Sequence, residues 1–156
     1  MRVLITGTSR GIGLEFTRQY LKHEHQVLAC CRTPDTADRL QALKTLPGRL
    51  VVIPMDVADD ASIQAALETV SRQVTGLDIL INNAGVFPTA ERNLDTFDAE
   101  TMLRTFRINT VAPLAIAQRF RALLKSGVYP RLVSIGSAAG SFGALQSKPA
   151  TGHYSY

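Results

Sequence analysis

Five short, nearly unbroken runs of apolar and β-branched residues constrain this chain more than any other feature. They are Val3–Thr6, Gln26–Cys31, Leu50–Met55, Asp78–Asn82 and Leu132–Ile135, each followed by a turn signal. Runs of this kind suit strands of a parallel sheet that is covered on both faces, because a half-wet strand would alternate apolar with polar residues. Helical stretches lie between them. Gly11–Lys22 and Thr36–Thr45 read as helices, and Ile63, Ala66, Leu67, Val70 and Val74 share one helical face behind Asp59, Asp60 and Ser62. The segment from about Asp98 to Lys125 reads as the longest helix, with Leu103, Phe106, Leu114, Ala117 and Leu124 near one stripe. Strand–helix alternation predicts an α/β fold with a doubly wound parallel sheet.

Composition narrows the classes. With 156 residues, 46% of them hydrophobic and 19% charged, the chain can bury a single core, which excludes a disordered or collagen-like protein. No run approaches the ~18–20 apolar residues of a membrane span. The N-terminus reaches Gly7 too soon for the apolar part of a signal peptide. A soluble, cytoplasmic protein is expected, with no membrane partner. Cys30 and Cys31 are the only cysteines and are adjacent in a strand, so they point to opposite faces. That leaves no disulfide framework, and too few thiols for a metal site. The net charge of +4 is unevenly spread: residues 101–156 hold seven basic residues and no acidic one. A basic half suits an anionic partner or an acidic counterpart elsewhere in a longer protein. Nucleic-acid binding is not expected, because the segment has neither interleaved aromatics nor a known binding motif.

The first strand runs straight into Thr6-Gly7-Thr8-Ser9-Arg10-Gly11-Ile12-Gly13 and then into a helix. Glycines here allow a tight turn and close backbone approach to a pyrophosphate, and the helix N-terminus adds N–H donors and a positive dipole end. The spacing is G-x-x-x-G-x-G, which differs from the G-x-G-x-x-G dinucleotide fingerprint.

Thr6-Gly7-x-x-x-Gly11-x-Gly13 resembles the cofactor turn of the short-chain dehydrogenases/reductases, and further motifs follow in that family's order. Asp56-Val57 lies after the third strand, Asn82-Asn83-Ala84-Gly85 after the fourth, Asn109 in the long helix and Ser137 after the fifth. The run Ile108-Asn109-Thr110-Val111-Ala112-Pro113 and the ending Gly152-His153-Tyr154-Ser155-Tyr156 are most similar to sniffer-type carbonyl reductases and their C-factor relatives. The resemblance implies a Rossmann domain over residues 1–156 and an oxidoreductase moving hydride between a nicotinamide cofactor and a carbonyl or secondary alcohol. It implies cofactor contacts at Gly7, Ser9, Arg10, Gly11, Ile12, Gly13, Asp56, Val57, Asn83, Ala84 and Gly85. It assigns Ser137 to polarising the substrate oxygen, Tyr156 to protonating it and Asn109 to anchoring a proton relay. A homodimer or homotetramer is implied for a full-length member.

Two of these positions also carry a physical argument. An NAD-preferring site places an acidic residue at the end of the second strand, roughly 20 residues past the glycine turn, to hold the ribose 2′-OH. Arg32 stands there instead and Arg10 approaches the same corner, so NADP(H) is expected over NAD(H). Asparagine is a poor helix-interior residue, and Pro113, four positions after Asn109, has no N–H to donate to its carbonyl. The helix should bend there, with the carbonyl left to hold an ordered water.

The family's general acid belongs to Tyr-x-x-x-Lys, whose lysine lowers the phenol pKa. Tyr156 is the last residue given, so that lysine is absent. The expectation is the N-terminal part of a longer single-domain reductase, incomplete on its C-terminal side and inactive alone. A non-catalytic nucleotide-binding or signalling protein on the same fold is the alternative.

Overall fold

The computed structural model describes residues 1–88 and 94–137. Strands β1 (Arg2–Thr6), β2 (Gln26–Cys31), β3 (Arg49–Pro54), β4 (Ile79–Asn82) and β5 (Arg131–Ser134) form one sheet in the order β3-β2-β1-β4-β5. Every neighbouring pair is parallel. The chain therefore winds outward from β1 in both directions, the doubly wound Rossmann arrangement expected from the sequence.

Side-chain alternation along the strands divides the core into two layers. Leu4, Leu28, Cys30, Ile53 and Leu80 face one way and pack with α3 (Asp60–Gln73) through Ile63, Ala66 and Val70. Val3, Ile5, Val27, Ala29, Cys31, Ile79 and Ile81 face the other way, toward Leu21 of α1 (Gly11–Lys22) and Leu40 of α2 (Asp38–Gln41). The adjacent cysteines thus enter opposite layers.

The stretch expected as one helix from about Asp98 to Lys125 is divided. It comprises α4 (Ala99–Phe106), a π-helical turn (Arg107–Val111), α5 (Ala112–Arg119) and α6 (Arg121–Lys125). In the π-turn, the Ala112 N–H donates to the Arg107 carbonyl five residues back. At Asn109, where the sequence predicts a bend, the structure has this inserted residue, which shifts the phase of the helix. The buried line is consequently Thr105, Ile108, Ala112, Ile116 and Phe120. The stripe expected from the sequence holds only in part: Leu103, Phe106 and Leu114 are more than half exposed, whereas Leu124 packs half-buried against the core. Two apolar stripes lie along this amphipathic segment, and the sheet covers only one.

Thr36–Thr45 also differs from a single helix. It is a 3₁₀ turn at Pro34–Thr36, then α2, then a 3₁₀ turn at Ala42–Thr45, with Ala37 outside helical geometry between the first two. The fifth strand departs from the expectation of burial on both faces, since all four of its residues are exposed.

Asp78, just before β4, ties three segments together. Its carboxylate accepts from the Arg2 backbone N–H at 2.7 Å, from the Arg2 guanidinium at 3.3 Å and from the Val128 N–H at 2.9 Å. Burial pushes the carboxyl up, but the Val128 and Arg2 donors outweigh it and hold it down at about 2. Among the described residues, no helix is long and apolar enough to cross a membrane.

Candidate active site

The glycine turn and the segment after β4 interlock at the C-terminal edge of the sheet. Gly7 has φ +70°, and a Cβ there would lie 2.8 Å from the Ala84 Cα. A Cβ on Gly13 would lie 2.3 Å from the Gly7 carbonyl oxygen and 2.5 Å from Asn83 Nδ2. Both positions require glycine because backbone and side chain already fill the space.

Thr6 and Asn83 join the two segments. Thr6 Oγ1 accepts from the backbone N–H groups of Asn83 and Ala84, each at 3.0 Å. Asn83 Nδ2 donates to the carbonyls of Thr6 (2.9 Å) and Gly7 (3.1 Å). Buried Thr8 bonds the Cys30 carbonyl through both its N–H and its hydroxyl, which fixes the turn against the end of β2. Thr6 and Thr8 were given no structural role from the sequence. Their signal was available in hindsight: hydroxyls on either side of a glycine that must hold a left-handed turn.

This scaffold borders a cleft of about 300 Å³. Eleven of the twelve residues expected to hold a cofactor line it: Gly7, Ser9, Arg10, Gly11, Ile12, Arg32, Asp56, Val57, Asn83, Ala84 and Gly85. Gly13 lies beneath the turn against the Gly7 carbonyl. The sequence reading missed Cys31, Met55, Val86 and Ile108, which complete the walls. The Cys31 thiol is pushed up by burial, so it stands in the wall as a neutral group.

The donors suit an anion. Arg10 occupies the N-cap position of α1 in extended geometry, no side chain caps that helix, and its first turn contains no acidic residue. The leading N–H groups and positive end of the helix therefore face the turn without a competing carboxylate. Asp56 is held locally: its carboxylate accepts from the Ala58 N–H, and its own N–H donates to the Ser62 hydroxyl, both at 2.9 Å.

Asn109 sits in the π-turn beside the cleft. Its side-chain amide holds the backbone of Val86 from both sides, donating to the Val86 carbonyl and accepting from the Val86 N–H, each at 2.9 Å. The sequence argument concerned its main-chain carbonyl; this side-chain clamp is an additional finding. Arg107 anchors the same turn by donating to the Ala58 carbonyl at 3.3 Å and pairing with Asp60 at 3.0 Å. Arg119 pairs with Asp60 at 3.3 Å as well. Two of the seven basic residues of the second half thus meet a carboxylate of the first half. Ser137 follows β5 at the same edge of the sheet and is exposed. Tyr156 lies outside the described residues, as does Tyr154.

The description of the short chain dehydrogenase family matches residues 1–155. The chain belongs to that family. "Short-chain dehydrogenase srdF" of Neurospora crassa is 32% identical over 150 residues, covering 92% of this chain and 58% of that protein. The NADPH-bound carbonyl reductase from chicken fatty liver has a TM-score of 0.83 at 36% identity, over 97% of this chain and 66% of its own. The Sniffer protein of Caenorhabditis elegans has a TM-score of 0.84 at 28% identity, over 96% and 68% respectively. The chain spans little more than half the length of curated relatives it matches. Similar structures include NADPH-bound and NADH-dependent enzymes alike, so the fold does not choose between those cofactors.

Proposed function

We propose that the chain is the cofactor-binding part of an NADP(H)-dependent reductase acting on a ketone or aldehyde, or in reverse on a secondary alcohol. The observation that carries this reading is Arg32 in the cleft wall directly after β2, with Arg10 on the same cleft. Among the described residues neither guanidinium has a hydrogen-bond or ion-pair partner. Two unpaired guanidiniums suit a 2′-phosphate through charge-assisted hydrogen bonds, where a carboxylate would suit a ribose 2′-OH.

The glycine turn and the start of α1 would hold the pyrophosphate, and Asp56 and Val57 the adenine end. The nicotinamide supplies or accepts the hydride. Around the reacting carbonyl, Ser137 polarises the oxygen, Tyr156 delivers the proton and the Asn109 carbonyl anchors the relay; these roles rest on the family resemblance. Clamping Val86 to Asn109 adds a reason for the asparagine side chain, since it holds one wall of the cleft in place.

The test is calorimetric titration of the chain with NADPH and NADH, followed by carbonyl-dependent NADPH consumption by the full-length protein. NADPH is expected to bind at least about tenfold more tightly, as one charge-assisted contact implies. Arg32→Ala and Arg10→Ala should each erode that preference. Equal affinity for the two cofactors in the unaltered chain would overturn the assignment.

A further inference from the structure

A cavity of about 300 Å³ lies at the opposite edge of the sheet from the cofactor cleft, where β1 and β2 begin and α3 ends. The strand register builds one wall. Arg2 of β1 pairs with Gln26 of β2, and Gln26 with Arg49 of β3. Residues in register across parallel strands share a face, so an amide stands between two guanidiniums in one lateral row. That row lies on the α3 side, since Val3, Val27 and Leu50, the next residues along, enter the other layer. The end of α3 forms the second wall with Ser71, Arg72 and Thr75. Arg49 joins the two by donating to Gln73 Oε1 at 3.2 Å.

Donors predominate here and are under-used. Gln26 Nε2 is buried and, among the described residues, has no hydrogen-bond partner. Native folds rarely leave such a donor orphaned without a reason. Arg2 gives Nη2 to Asp78 at 3.3 Å, which leaves other N–H groups of its fork. Arg72 donates to the Thr69 hydroxyl at 3.2 Å and, among the described residues, has no ion pair. Glu68, one turn before it, accepts from Gln64 instead. Among the described residues, no carboxylate lines the cavity. The C-terminal end of α3 adds about half a negative charge, which three guanidiniums with one carboxylate between them outweigh.

We propose that this cavity is a second anion site, separate from the cofactor cleft, that takes the phosphate group of a small molecule. A tetrahedral oxyanion presents acceptors in several directions and suits donors arriving from both the sheet and the helix. A planar carboxylate presents its acceptors in one plane only. Arg2 and Arg72 supply the charge, and the hydroxyls of Ser71 and Thr75 supply neutral donors. Turning the Gln26 carboxamide over is a soft rotation that exchanges Nε2 with Oε1, and it gives the orphaned donor an oxygen to bond. The five residues of β1, at roughly 3.3 Å each, separate this site from the glycine turn, so one phosphate cannot serve both.

The experiment is calorimetric titration of the chain with inorganic phosphate at constant ionic strength, with and without saturating NADPH. Phosphate is expected to bind in both cases, because the cofactor fills only the cleft. Arg72→Ala should weaken phosphate binding about tenfold, as loss of one charge-assisted contact implies, and leave NADPH binding unchanged. Arg72→Lys should recover part of the loss. Gln26→Leu should weaken phosphate binding about threefold by removing the amide donor. Titration with glycerol phosphate separates the sources of the group. Tighter binding than that of the free ion supports an organic phosphate, equal binding supports free phosphate, and either upholds the site. No binding, or an affinity unchanged in Arg72→Ala, would sink the inference. Binding abolished by NADPH would sink it too, placing the anion at the glycine turn and leaving the cofactor reading intact.

Discussion

The two sides of this sheet are built to different standards. On one side, β1 and β2 lie between two helical layers, and Val3, Leu4, Ile5, Val27 and Leu28 are wholly buried. On the other, β5 is an edge strand whose Leu132 is 53% exposed. Full burial of a Val, Leu or Ile contributes roughly 1.5–3 kcal/mol, so β1 and β2 are held far more firmly than β5. The cofactor cleft is assembled on the firm side, from the ends of β1 to β4. Ser137, proposed for the chemistry, hangs from the weakly held edge. Binding is thus pre-organised by the core, whereas the proposed reacting end depends on what packs against β5.

The sharpest way to break that contrast is Gly13→Ala. The new methyl meets the Gly7 carbonyl and Asn83 Nδ2, and both are already fixed, one in the turn and the other by hydrogen bonds. The clash cannot be relieved by a flexible side chain, so a loss near the upper end for overpacking, about 3 kcal/mol, is expected. Denaturant unfolding should show it, and nicotinamide binding should vanish with the displaced turn. A variant that unfolds at the original midpoint would mean the turn is softer than its packing implies.

Asp78→Asn comes next and probes the strap between the two sides, because Asp78 holds Arg2 of β1 and the loop leading to β5. Loss of the charged acceptor should cost about 2 kcal/mol, the scale of hydrogen bonds to a charged group. The acid dependence has a definite sign. The folded carboxyl is held at about 2, below its unfolded value, so the group stabilises the protein above that unfolded value. The contribution is lost as pH falls from about 4 toward the folded value. The Asn variant should therefore converge on the unaltered chain in acid; a stability gap independent of pH would show that the carboxylate charge is not what matters.

The same contrast explains what was legible in the sequence. The firm side was readable because each device there is local: apolar strand runs, glycines in a turn, an asparagine after β4. Ten of the expected residues in the cleft lining lie in motifs that carry the family resemblance, and Arg32 follows the apolar run of β2. The helical segment beyond Asp98 was misread because its phase depends on one inserted residue at the π-turn. Pro113 announces a disturbance there without saying which apolar stripe survives it. The pairing of Asp60 with Arg107 and Arg119 was equally hidden, being a contact between distant segments. It makes part of the basic surplus an internal device that binds the loop after β3 to the turn carrying Asn109.

The smallest expected effect refines the contrast within the glycine turn itself. Gly11 has φ +58°, yet a Cβ built there meets nothing within 4 Å. Gly13 is closed by packing, whereas Gly11 is constrained only by its own backbone. Gly11→Ala should accordingly cost about 1 kcal/mol, the left-handed penalty alone, and unfold only slightly earlier. Nicotinamide binding should weaken more than stability does if the cofactor needs the open face of Gly11 for backbone approach. If binding and stability fall in step, the residue serves the turn alone, and the close approach to the pyrophosphate belongs to Ser9, Arg10 and Ile12 around it.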